Sequence, residues 1–262
     1  MGIAGAAIAT GIGYCIPAAV GMIYFLTARK NPLHFVRVRF ERSVLLKACG
    51  NGSSEMVTNL ANAVTTLLFN YTLLQFYGED GVASITIILY VQYIFTALYF
   101  GYSNGIAPII SYKFGNNDTA QLHCIFKSSL VFLLIAALVA NSLLLLTIKD
   151  ALTIFTPAYS SVYEITLHGF MRYSLAFGVM GLGIFASAMF TAFSDGRTSA
   201  IIYFSRTFIF LIAMICILPH FLGEAGVWIA VPVAEMLGGI VAACYLILKN
   251  DEFSYFPKLN KL

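Results

Sequence analysis

Charge is what this sequence has least of. Lysine, arginine, aspartate and glutamate together make up 10% of its 262 residues, far below the roughly one quarter with which a water-soluble domain covers its core. A soluble fold of this length is thereby excluded. Cysteine is sparse: five residues, Cys15, Cys49, Cys124, Cys216 and Cys244, with no C-x-x-C pair and no Cys/His ligand spacing. That supports neither a disulfide framework nor a zinc centre. The four histidines, His34, His123, His168 and His220, are equally scattered. No His/Asp/Glu constellation gathers at either end of an apolar run, which leaves a membrane enzyme the weakest class. A basic leader and a small-residue cleavage site are also missing, so the first apolar run does not read as a signal peptide. It starts within the first three residues and reads as a helix entered part-way, with further sequence expected before it.

What the chain does hold is hydrocarbon. Hydrophobic residues are 60% of it and the mean hydropathy is +0.85. They fall into about seven long runs, near 3–26, 54–76, 84–112, 124–148, 163–192, 199–221 and 226–248. A helix needs ~20 mostly apolar residues to cross a bilayer, where every backbone group must find its partner inside the segment. The reading is an all-α polytopic membrane protein with about seven transmembrane helices. Alternate loops carry Arg29, Lys30, Arg37, Arg39, Arg42 and Lys47, then Lys113 and Lys127, then Arg197, then Lys249, Lys258 and Lys261; the opposite set carries only Lys149. The positive-inside rule puts the rich side in the cytoplasm, with the N-terminus outside and the C-terminus inside a cell membrane. The net charge of +3 therefore belongs to topology. The basic-aromatic stretch Phe35 to Arg42 reads as a juxtamembrane loop drawn to anionic lipid rather than a nucleic-acid patch.

Polar residues inside the runs mark the candidate site. In the second run Glu55, Asn59, Asn62, Thr66 and Asn70 follow spacings of 4, 3, 4 and 4, which stack on one helix face. Amides are expensive in hydrocarbon, so the stripe is expected to line a cavity; the plainer reading is interhelical hydrogen bonding, worth ~0.6 kcal/mol per bond. Glu55 has two readings. Gly52-Ser53-Ser54-Glu55 resembles a helix start, where an acid is favoured by the dipole, and the same acid is also a candidate for ion coupling. The third run adds Gln92, Thr96, Tyr99 and Ser103, and Pro108 is expected to kink or end its helix. The fifth run carries the series Gly178, Gly181, Gly183, either a hinge or a close helix contact. Arg172 and Glu235 each lie ~15 Å below the outer surface at 1.5 Å per residue. An ionised arginine that deep needs a partner, and Arg206 in the sixth run competes with Arg172 for Glu235. Only Glu235 or Glu55 can carry a coupled proton, since arginine does not release one. Gly2-Ile3-Ala4-Gly5 and Gly223-Glu224-Ala225-Gly226 echo each other at the outer ends of two inward-running spans, where small residues let helix backbones approach.

The segments Gly50-Asn51-Gly52-Ser53-Ser54-Glu55-Met56, Ala107-Pro108-Ile109-Ile110-Ser111-Tyr112-Lys113-Phe114-Gly115 and Ala188 to Ser199 resemble the multidrug and toxic compound extrusion (MATE) family. Arg206 and the run Leu218-Pro219 to Gly226-Val227-Trp228 are similar too. The resemblance implies twelve helices in two six-helix lobes, of which residues 1–26 are the last helix of the N-terminal lobe. Residues 27–50 become the basic inter-lobe linker, 51–248 a six-helix C-terminal lobe and 249–262 a cytoplasmic tail. It departs from the family where acids are concerned. The position matching the acid of helix seven is near Ala61, and no acid lies around Met180 in helix ten, so no sodium site is carried over.

The function implied is a secondary antiporter exporting small amphipathic or cationic organic compounds against H⁺ or Na⁺. It works by alternating access, with no cofactor, no metal and no catalytic residue. The candidate substrate or ion residues are Glu55, Asn59, Asn62, Thr66, Gln92, Tyr99, Arg172 and Glu235. The expected partners are the lipid bilayer and either a missing N-terminal lobe or a second copy, with no nucleic acid. A lipid flippase of the same superfamily and a seven-helix receptor are the alternatives. Against the receptor, the last run has no lysine for a retinal Schiff base.

Overall fold

The computed structural model describes residues 2–27 and 41–256. Every regular element among the described residues is helical: α1 Gly2–Thr27, α2 Arg42–Tyr77, α3 Glu79–Gly115, α4 Thr119–Phe155, α5 Ser161–Tyr173, α6 Leu175–Ala192, α7 Gly196–Phe204, a π-helical segment Ser205–Phe210, α8 Leu211–Leu222, α9 Glu224–Leu248 and the short α10 Asn250–Phe253. Among the described residues six stretches are long and apolar enough to cross a membrane, namely Ala7–Thr27, α3, α4, α6, Gly196–Leu222 and α9. At 36 residues, α2 has the length, but its asparagines and threonines lower its hydropathy. The chain divides into two compact units, Met1–Gly52 and Ser53–Leu262.

The first unit holds α1, an apolar helix whose Thr27 hydroxyl turns back onto the Ile23 carbonyl at 2.7 Å. A helix apolar on all sides is at home only in lipid or protein.

The second unit is built around α6, whose small residues let its neighbours close in. Its residues Ala176, Phe177, Gly181, Gly183, Ala186 and Phe190 are buried, and α3, α4, α7 and α9 pack on it. A Cβ on Gly181 would come within 2.8 Å of the Tyr99 ring, and one on Gly183 within 2.9 Å of Arg206 Cδ. Those two glycines are packing seats rather than a hinge; of the three in the series, Gly178 is the one that faces open space.

Three features depart from simple spans. The expected fifth run is two helices, α5 and α6, separated at Ser174. The sixth is interrupted by the π segment, where helix widening re-aims side chains. Pro108 does not end α3, which runs on to Gly115; a proline inside a membrane helix is tolerated when surrounding groups satisfy the backbone it frees.

One end of this unit is fastened by the C-terminal segment. Asp118 and Asp195 each cap a helix start, accepting from the backbone N–H of Gln121 at 3.1 Å and of Thr198 at 3.2 Å. Each follows a left-handed residue, Asn117 or Ser194. Phe114, Phe193 and Phe253 stack there, and Tyr255 covers Phe126 and Phe193. The Tyr255 hydroxyl donates to the Leu246 carbonyl at 2.5 Å, and the Asn250 amide brackets both backbone groups of Phe256. Lys249 Nζ then bridges Asp195 at 3.3 Å and Glu252 at 2.6 Å.

Partial burial pushes the Asp195 carboxyl upward. Hydrogen bonds from the Thr198 hydroxyl and N–H and from Lys249 outweigh it and hold the group below the usual carboxylate range. Lys249 is held above its ordinary value, chiefly by Glu252 and then by Asp195. A depressed carboxylate stabilises the fold above its unfolded pKa and stops doing so as pH falls through its folded pKa. Asp195→Ala is expected to cost about 1 kcal/mol through the lost cap, whereas Asp195→Asn, itself a good cap, keeps that part. The wild-type protein should begin to approach the Asn variant as pH falls below about 4, the ordinary carboxylate value, and meet it only below the lower pKa of the folded state. Unfolding curves from pH 7 to 3 check this, and a gap that stays constant in acid would contradict it.

Candidate functional site

A cavity of about 240 Å³ opens between α2, α3, the end of α5, α6, the π segment and α9. Its apolar wall is Phe69, Met180, Ile184, Leu211 and Val231, and its aromatic surface comes from Tyr93, Phe100, Tyr173 and Tyr203. Polar atoms enter from Thr65, Thr66, Gln92, Thr96 and Thr207, and the floor is the pair Arg206 and Glu235.

That pair dominates the electrostatics. Arg206 Nη1 donates to Glu235 Oε2 at 3.0 Å and to Oε1 at 3.2 Å. The residues are only 6% and 8% exposed, and Glu235 lies eleven residues into α9, ~17 Å along its axis at 1.5 Å per residue. The guanidinium reaches this depth because glycines on two helices make room for its stem. A Cβ on Gly238 would lie 2.6 Å from Arg206 Cγ, and one on Gly183 would lie 2.9 Å from Cδ. The Tyr203 ring, 5.8 Å from the guanidinium carbon, adds a cation–π contact. Ionised groups so far from water persist only when paired and hydrogen-bonded.

Above the pair, Tyr173 donates its hydroxyl to Gln92 Oε1 at 2.5 Å. This ties α5 to α3 and turns the amide toward the cavity. Tyr173 is carried there by the α5–α6 break: it is the last residue of α5, and Ser174 separates the two helices.

The structure thus brings Thr66, Gln92 and Glu235 into one cavity. Tyr99 does not line it: the residue is 1% exposed, its ring rests on Gly181, and its hydroxyl donates to the Phe177 carbonyl at 2.8 Å. It is a tie between α3 and α6. Arg172 is exposed in the last turn of α5, a favourable place for a cation, and the charge on Glu235 is met by Arg206 instead. Glu55, Asn59 and Asn62 belong to α2, but their side chains lie outside the described residues. Among the described residues no cluster of three or more His, Cys, Asp or Glu is placed to hold a metal ion.

Thr65, Tyr93, Tyr173, Tyr203 and Thr207 were not marked by the sequence. For Tyr203, Arg206 and Thr207 a signal was present, since spacings of 3 and 4 share a helix face. For Tyr173 there was none, because an aromatic residue in an apolar run reads as core.

The family model MatE matches residues 55–217. No curated protein matches the chain. Among solved structures, an outward-facing multidrug resistance MATE family transporter of the MOP superfamily is 18% identical, with a TM-score of 0.73 over 91% of this chain and 54% of its own. An inward-facing multidrug resistance MATE transporter is 16% identical, with a TM-score of 0.79 over 88% of this chain and 54% of its own. A MOP superfamily transporter from Pyrococcus furiosus, described as having a binding pocket of reversed polarity that suggests a different function, is 17% identical, with a TM-score of 0.73 over 91% and 54%. The chain spans about half the length of these structures, and at such identities the likeness is one of fold. With the family model covering more than half of its residues, this multi-pass membrane chain belongs to the MatE family of transporters.

Proposed function

We propose that the chain forms one half of a secondary antiporter that exports amphipathic or cationic organic compounds in exchange for H⁺ or Na⁺. The observation that carries this reading is the Arg206–Glu235 pair, buried at the floor of a cavity with an aromatic and hydroxyl-bearing surface. Rings offer a flat cation or fused aromatic system a face to stack on, and the pair supplies the ion-sensitive element. Glu235 can accept a proton and Arg206 cannot lose one, so protonation turns a neutral pair into a net cation beneath the substrate. A cationic substrate and a proton then compete for one cavity, which is what exchange requires. Different affinities of the two ligands for the two access states bias an alternating-access equilibrium. The other wall of the chamber would come from a complementary half or a second copy. The loop charges support an orientation with the N-terminus outside and the C-terminus in the cytoplasm of a cell membrane.

Proteoliposomes containing the chain with its complementary half, loaded at pH 6 and diluted to pH 8, are expected to take up ethidium as protons leave. A matching experiment imposes a sodium gradient. Glu235→Gln should abolish the response to the pH jump. Uptake indifferent to both gradients would refute antiport, and unchanged flux of the Gln variant at every pH would remove Glu235 from coupling.

A further inference from the structure

Two glycines decide where Arg206 can lie. A Cβ on Gly238 of α9 would come within 2.6 Å of Arg206 Cγ and 2.8 Å of its Cβ. A Cβ on Gly183 of α6 would come within 2.9 Å of Cδ and 3.5 Å of Nε. The whole stem is thus seated on positions that carry no side chain. Gly238 follows Glu235 by three residues on α9, a spacing that puts seat and acid on one helix face. The stem rests about one turn along α9 from the carboxylate that its guanidinium meets.

That meeting leaves little tolerance. Arginine frequently grips a carboxylate through two nitrogens, but here both bonds leave from Nη1, at 3.0 and 3.2 Å. Nε is buried without a partner. A displacement of ~1 Å would carry both bonds out of range together. Among the described residues no second cation lines the cavity to replace Arg206. Its other ionisable groups are the phenols Tyr93 from α3, Tyr173 from α5 and Tyr203 from α7, which carry no positive charge in either protonation state. The described side chains that α2, α6 and α8 add are hydroxyl-bearing or apolar. A carboxylate takes up a proton less readily beside a cation, so proton uptake by Glu235 follows the placement of this one side chain.

Resting on the reading of Glu235 as the coupling acid, we propose that Gly183 and Gly238 are positioning residues for exchange. They hold Arg206 at the placement from which Nη1 reaches both carboxylate oxygens, and so set the pH range in which the acid gains and loses its proton. A methyl group at either seat displaces the guanidinium and frees Glu235 to take a proton at higher pH.

Infrared difference spectra of the purified chain, titrated with pH, follow the carbonyl stretch of the protonated acid. The band is assigned to Glu235 by its loss in Glu235→Gln. In Gly238→Ala it is expected to reach half height about one pH unit above the wild type, the lower end of what an adjacent opposite charge does to a carboxyl. Gly183→Ala should move it the same way by less, and carries the test should Gly238→Ala fail to fold, which Trp228 fluorescence reports. Gly178→Ala, on the same helix with nothing within 4 Å of its Cβ, should titrate with the wild type. A purely structural role for the two glycines would lower stability and leave the midpoint in place. Folded glycine variants that titrate with the wild type, or at lower pH, overturn the proposal. The pH profile of ethidium exchange, measured with the complementary half in proteoliposomes, should move with the infrared midpoint. An infrared midpoint that moves while the exchange profile stays would uphold the glycine seats and refute Glu235 as the coupling acid.

Discussion

Replacing Glu235 with alanine is expected to destabilise the protein by about 3 kcal/mol, whereas replacing the whole ion pair should cost little. Removing one partner of a buried pair leaves the other charge unsolvated, a loss of roughly 3–5 kcal/mol, while exchanging both partners for apolar side chains is commonly neutral or stabilising. Arg206 is the partner left behind. It is 6% exposed, and the glycine slot of Gly183 and Gly238 fixes its stem in place, so relaxation toward water is blocked. Arg206→Met with Glu235→Leu is the appropriate double variant. Methionine is unbranched and adaptable, so it threads the slot that a branched side chain would not.

The readout is built into the chain. Trp228 is its only tryptophan, is 1% exposed and sits on α9 with Glu235. Its fluorescence reports the packing of the helix that carries the acid. The expected order of stability is wild type close to the double variant, with Glu235→Ala well below both. A single variant within about 1 kcal/mol of wild type would mean that the pair is solvated through the cavity and is not a structural constraint. The double variant has a second use: a stable protein that has lost pH-dependent exchange separates the coupling role of the pair from its structural one.

The route to this pair shows what the sequence displays and what it conceals. Hydropathy locates spans because bilayer crossing is a one-dimensional demand on apolar length. It also gives depth, and so Glu235, Arg172 and Arg206 stand out as buried charge. It does not give azimuth. Arg172 and Arg206 are both on helices that pack against α9 or continue one that does, and only side-chain direction decides that Arg206 meets the acid while Arg172 is exposed. The stripe Gln92, Thr96, Tyr99 teaches the same lesson within one helix. Its upper part faces the cavity, while Tyr99 is turned into α6, because one helix face meets different neighbours at different depths. The breaks at Ser174 and at Ser205–Phe210 were invisible for another reason. Neither coincides with a glycine or proline, the residues through which a sequence announces an interruption. The small residues were more legible. Glycines in an apolar run mean either close approach or bending, and Gly181 and Gly183 are approach.

Gly226→Ala, a single added methyl, is expected to destabilise the protein by about 3 kcal/mol or more, at the upper end of overpacking effects. A Cβ at this position would lie 2.3 Å from the Leu218 carbonyl oxygen, 2.4 Å from its carbon and 2.7 Å from Pro219 N. These are backbone atoms, so no rotamer change relieves the clash and α8 has to move away from α9. The turn between them allows little of this: Gly223 adopts a left-handed φ of 58° that other residues take with difficulty, and the Gly226 N–H donates back to the Gly223 carbonyl at 3.0 Å. Displacement would propagate to function, because the π segment holding Arg206 continues directly into α8 and Glu235 rides on α9. Loss of stability and loss of the ion pair should therefore appear together. Gly178→Ala is the matched control, since nothing lies within 4 Å of its Cβ and alanine is the better helix former by up to ~1 kcal/mol. It should be neutral or mildly stabilising when unfolding is followed through Trp228. Equal behaviour of the two variants would show that α8 and α9 do not meet as closely as these distances require. The second glycine of the Gly-x-Ala-Gly echo would then be an ornament of composition rather than the contact that sets the height of Glu235 against Arg206.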